Sequence, residues 1–235
     1  MKPIRLAIAV ALAVSAIACD VSPPNGDDAA ATNGAHAIDR AHLDRVDASP
    51  AGPAMSAAAP KLQADLRALW NGHVDATRDY ALAVKADDSA AADRAAQDVV
   101  ANAKAIAEAV AGFYGEPAGY TMLALLGGHW GGVKALTDSH RSGDATAAAQ
   151  ALDALVANAD EIAVFLAGAN PHLAADAVRG LLVAHGGHHA MQAQQIMTGD
   201  TAAEARTWIA MQAHMDVIAD ALAGAIARQF PDQAR

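Results

Sequence analysis

From Pro60 onward the chain places apolar residues at helical spacing. Leu62, Leu66 and Leu69 lead along one stripe into His73, Thr77 and Tyr80, in steps of three and four that return to one helix face. The pattern then recurs. Shifting the sequence by 56 residues, twice, brings Leu69, Leu125 and Leu181 into one column, with His73, His129 and His185 in another. Asp88, Asp144 and Asp200 align in the same way, as do Ile106, Ile162 and Ile218, and Gly112, Gly168 and Gly224. No insertion is needed, and none of these columns depends on the abundant alanine. Gly143 and Gly199, matched by Asp87, suit the left-handed residue after a helix C-terminus. The three aspartates suit the N-cap of the returning helix, while Tyr114-Gly115-Glu116-Pro117 and Asn170-Pro171 separate the units. The pattern predicts an all-α domain over residues 60–235. It is a six-helix antiparallel bundle of three tandem 56-residue helical hairpins, at about 61–116, 117–172 and 173–228.

Composition supports helix and extends the picture at the N-terminus. Hydrophobic residues make up 54% of the chain and aromatics only 4%, so close helix packing is expected rather than a core of large side chains. Lys2 and Arg5 precede a short apolar run, Leu6 to Ala16, too short to span a bilayer comfortably. Ala16-Ile17-Ala18-Cys19 resembles the lipobox of bacterial lipoproteins. That resemblance implies a signal peptide over 1–18, diacylation of Cys19 and a membrane partner reached through the lipid. An ordinary cleaved signal with a chance cysteine is the other reading. Asp20 suggests retention on the inner membrane, facing the periplasm. Residues 19–59, rich in Pro, Gly, Ala, Asp and Ser, read as a flexible linker. Cys19 is the single cysteine, so no intramolecular disulfide forms. Removing the signal leaves 14 basic against 26 acidic residues, a formal charge near −12, which disfavours nucleic acid as a partner.

Candidate chemistry lies where polar residues interrupt the apolar stripes. His73, His129 and His185 should point inward from the first helix of each hairpin, and Asn102, Asn158 and His214 form the matching column on the second helices. Each pair is equidistant from its turn, so all six positions are expected in one layer about halfway along the bundle. Buried polar groups left unpaired cost about 1–3 kcal/mol each. One solution is a metal held by His73, His129, His185 and His214, with Asn102 and Asn158 orienting the ligands and His188 and His189 as accessory groups. Such a donor set suits Cu, Zn, Ni or Fe. The other solution is a structural His/Asn network that fixes the register. The glycines around His129 and after His185 admit either close helix contact or space for a haem. Met191, Met197, Met211 and Met215 could join imidazoles at copper, although methionine on a helical stripe is usually core filler.

Leu69-Trp70-x-x-His73 with Thr77-Arg78, Phe113-Tyr114-Gly115, Asn158 to Ala163, Ala169-Asn170-Pro171 and Gln229-Phe230-Pro231 resemble a family of poorly characterised bacterial all-helical proteins. The resemblance covers roughly residues 62–231 and implies no established activity. Some relatives are labelled acetylglutamate kinase, but this chain has no glycine-rich phosphate loop and no strand signal. It also offers no nucleophile with a positioned base, so the reading leans away from an enzyme. The expectation is an envelope lipoprotein that binds a transition metal for handling or sensing; a scaffold or partner-binding bundle is the alternative.

Overall fold

The computed structural model describes residues 60–234. The expected signal peptide, the linker and the lipidation site Cys19 lie outside the described residues. Six helices follow one another: α1 Pro60–Lys85, α2 Ser89–Tyr114, α3 Glu116–Ser142, α4 Ala145–Ala169, α5 Ala175–Thr198 and α6 Thr201–Gln229. The described residues contain no strand, and the all-α bundle of three hairpins is what the periodicity predicted.

Local chemistry sets each reversal. Asp88, Asp144 and Asp200 accept hydrogen bonds from the backbone N–H groups of Ala91, Ala147 and Ala203 at 2.9, 2.9 and 3.0 Å, satisfying a donor that the first helical turn leaves free. Before them stand the left-handed residues Gly143 (φ 74°) and Gly199 (φ 80°), and in the first hairpin Asp87 (φ 55°). The N–H groups of Asp88, Asp144 and Asp200 return to the carbonyls of Ala83, Ser139 and Gln195, which closes the preceding helix.

The opposite end of the bundle is latched by side chains. Asn170 is 1% exposed; it donates to the Tyr114 hydroxyl at 2.9 Å, and that hydroxyl donates to Gln229 Oε1 at 3.1 Å. Phe230 packs its ring against Phe113 and Tyr114. Phe113-Tyr114, Asn170 and Gln229-Phe230, far apart in the chain, thus meet at one place.

α1, α3 and α5 touch one another, and α2, α4 and α6 each pack between two of them, α6 closing the ring onto α1. The odd-numbered helices therefore form an inner, parallel set, with the even-numbered helices outside it. Two apolar clusters occupy the interior. The larger includes Trp70, Met122, Leu126, Ile162, Met215 and Ile218, and the smaller contains Val133, Leu136, Ala148, Ala151 and Leu155. Between Leu126 and Val133 on α3 stands His129, and between Leu155 and Ile162 on α4 stands Asn158, so on these two helices the polar layer divides the two clusters. Among the described residues one helix, α6, is long and apolar enough to cross a membrane on length and composition. Its apolar stripe, Met211, Met215, Ile218 and Leu222, is buried in the bundle, and Asp220 on its flank pairs with Arg67 of α1 at 2.6 Å.

Candidate metal centre

Four imidazoles converge on the bundle interior: His73 from α1, His129 from α3, and His185 and His189 from α5. They are 2%, 7%, 3% and 3% exposed, and one ring nitrogen from each lies within 4.8 Å of the others. His185 and His189 share a helix face because they stand four residues apart. Their Nε2 atoms are 3.1 Å from each other.

The six ring-centroid separations run from 4.4 Å (His185–His189) to 5.9 Å (His73–His189). Five of the six lie between 5.3 and 5.9 Å and only His185–His189 is shorter, the pattern of a distorted tetrahedron, whereas a square would lengthen two opposed diagonals by a factor of about 1.4 over the other four. The arrangement therefore suits tetrahedral ions better than those that favour square-planar sites. A tetrahedral ion with metal–nitrogen bonds of about 2.0–2.1 Å holds its nitrogens about 3.4 Å apart; the His185–His189 pair is already within that spacing, and the widest pairs need to close by at most about 1.4 Å. The same tightness leaves no slot for a porphyrin between the rings.

The polar accounting is incomplete within the protein. His73 Nδ1 and Nε2, His129 Nε2 and His185 Nδ1 are buried without a hydrogen-bond partner. A buried orphan of this kind costs about 1–3 kcal/mol, and a bound cation would engage several of them at once. Burial, with a smaller contribution from His129, holds the His73 ring down to about 3. Burial likewise lowers His129 to about 4, with the Asn158 side chain acting in the opposite sense. His185 and His189 are pushed well below the ordinary imidazole range by burial and by neighbouring rings. All four stay neutral at pH 7, the form that ligates metals.

The outer half of the layer is built differently from the sequence expectation. Asn102 and Asn158 direct their amide N–H groups at backbone, donating to the carbonyls of Leu69 and Leu125 at 2.9 and 3.0 Å, while the Asn158 side chain also acts on the His129 ring. His214 was expected as the fourth ligand. Instead its Nε2 lies 2.8 Å from the Leu181 carbonyl, the equivalent contact in the third hairpin, which fixes the proton on Nε2. Its place in the cluster is taken by His189, expected only as an accessory group. The physical reason is the inner and outer arrangement of helices: a residue on α6 meets the flank of α5 before it reaches the axis. His188 faces outward from the cluster, its ring 5.2 Å from that of His214.

Some of the glycines near the layer serve helix contact, while Gly127, Gly131 and Gly187 have nothing within 4 Å of a Cβ position. A Cβ on Gly72 or Gly128 would stand 3.1 Å from the amide nitrogen of Asn102 or Asn158, and one on Gly132 would stand 2.8 Å from Leu155. Met211 and Met215 are fully buried in the larger apolar cluster, while Met191 is 45% exposed and Met197 half-buried. Compared with protein-family models, with curated proteins and with solved structures, the chain matches none, so the reading of this site rests on its geometry.

Proposed function

We propose that this chain is an extracytoplasmic lipoprotein, anchored through Cys19, whose helical domain binds one transition-metal ion through His73, His129, His185 and His189. Its role is metal handling or sensing rather than turnover. The observation that carries the metal reading is the convergence of four buried imidazoles, three of which carry ring nitrogens with no hydrogen-bond partner. A structural network leaves those atoms unsatisfied, whereas a cation takes up one nitrogen from each ring. The anchor is supported by the lipobox-like Ala16-Ile17-Ala18-Cys19 alone, and the inner-membrane, periplasm-facing location by Asp20.

The scaffold reading is favoured for the outer half of the layer, where Asn102, Asn158 and His214 clasp the facing helix. It does not account for the inner half. Elemental analysis of the chain purified without a polyhistidine tag tests the proposal. One equivalent of Zn, Cu, Ni or Fe is expected, and it is lost in the His129→Ala/His185→Ala double variant. Protein that takes up no metal, with melting unchanged by chelators, returns the chain to the scaffold class. Incorporation of labelled fatty acid, abolished by Cys19→Ser, tests the anchor separately.

A further inference from the structure

The identity of the ion follows from charge once the metal reading is accepted, and this inference rests on that reading. Imidazole donors suit zinc, copper, nickel and iron alike. The tetrahedral disposition of the four rings disfavours the tetragonal demands of Cu(II) and Ni(II). What separates the remaining candidates is the surroundings.

All four donors are neutral, and no thiolate or carboxylate stands among them. The buried acid of the described residues is Glu204, and it is already committed. Arg78 donates to it at 2.7 Å and Gln192 at 3.2 Å. Leu126 lies on one side of the layer, and on the other Val133 and Leu155 share the space with the buried neutral side chains of Thr77 and Gln192. A cation on this axis therefore carries its full charge into a low-dielectric interior with no anion to offset it. The desolvation penalty grows with the square of the charge, so it is about four times heavier for a divalent than for a monovalent ion of similar size. Among the four metals that suit imidazole, copper is the one with an accessible monovalent state in protein sites, and its closed d-shell imposes no planar geometry.

We infer that the site selects Cu(I) over Zn(II) and the other divalent ions. No redox step is involved: the ion is bound in the reduced state and kept from water.

Competition titrations of the untagged full chain test this under anaerobic conditions. Cu(I), kept reduced with ascorbate, is titrated against bicinchoninate, and Zn(II) against a chromogenic zinc chelator. The expected result is one Cu(I) per chain, silent in electron paramagnetic resonance and held about a hundred-fold or more tighter than Zn(II), the size of effect that one uncompensated buried charge produces. His189→Asp, which introduces a single negative charge into the cage, should shift the preference toward Zn(II). Equal or tighter binding of Zn(II) by the unaltered chain overturns the inference and leaves the metal reading standing. Failure of both ions to bind overturns the two together. Should the aspartate variant not fold, the titration of the unaltered chain still decides.

Discussion

Asn158 reaches from α4 and donates through Nδ2 to the carbonyl oxygen of Leu125 on α3 at 3.0 Å. Gly128 lies beneath the amide, leaving room that a Cβ would narrow to 3.1 Å. Asn102 on Leu69 and His214 on Leu181 repeat the contact 56 residues to either side. The clasps hold each outer helix against an inner one at the height of the imidazoles.

Removing one clasp should therefore loosen a hairpin without touching the cluster. Asn158→Ala is expected to cost about 1 kcal/mol, a fall of roughly 2–4 °C in Tm for a domain of this size, read by thermal melting. His214→Asn restores the residue found in the other two hairpins and should leave the metal stoichiometry intact, whereas His189→Ala should lower it. Loss of metal in His214→Asn with retention in His189→Ala, by elemental analysis, would reverse the assignment of the fourth ligand.

Two adjacent glycines should respond to alanine in opposite directions. Nothing lies within 4 Å of a Cβ placed on Gly131, so Gly131→Ala gains helix propensity and stabilises by about 0.5–1 kcal/mol. On Gly132 the new atom meets Cγ and Cδ2 of the buried Leu155 at 2.8 Å. Overpacking of about 1–3 kcal/mol then outweighs the propensity gain, and Gly132→Ala melts lower. Equal shifts for the two variants in urea titrations would contradict this packing.

Acid should unfold the metal-free domain steeply. In the folded state His73 and His129 titrate at about 3 and about 4 instead of the ordinary 6.5, and His185 and His189 are displaced in the same direction. The unfolded chain therefore takes up protons first. Stability is complete above pH 6.5, falls as pH drops below it, and stops falling once the folded rings protonate as well. Within that window each ring removes about 1.4 kcal/mol per pH unit. Urea midpoints measured from pH 7 down to 4 should show the loss. A flat profile would place the rings in water.

Asp87 holds a left-handed φ of 55° where the other hairpins use glycine. That conformation costs a side chain about 1 kcal/mol. The ion pair between its carboxylate and Arg141 is mostly exposed on the Asp87 side and offsets little. Asp87→Gly should raise Tm by a few degrees, and an Arg141→Ala control should barely move it.

The helices, their turns and the common height of the polar layer were legible in the sequence because each follows from local rules. Period 3.6, an N-capping aspartate and a left-handed residue recur in register, and none needs knowledge of distant contacts. The ligand set was legible only in part. His73, His129 and His185 occupy one column on the first helices, and all three reach the axis. The fourth donor could not come from that column. Position 189 corresponds to Val133 and Thr77, so no repeated histidine column marks it. The available signal was the i, i+4 spacing of His185 and His189. Equally, the column joining His214 to two asparagines pointed to a shared clasping role, since asparagine is a poor ligand and a good donor to carbonyls. What the pattern did not encode was which helices lie inside, because that depends on how α6 closes onto α1.

The distribution of donors along the chain has a consequence for assembly. His73 belongs to the first hairpin and His129 to the second, while the third supplies both His185 and His189. Half of the cage thus arrives with the third hairpin, and that hairpin must dock against the first before the four rings share a centre. Occupancy of the site then works as a completion check on the molecule. A bundle without its third hairpin holds two of the four donors, His73 and His129, and one without its first hairpin holds three, so the complete set exists only in the closed molecule.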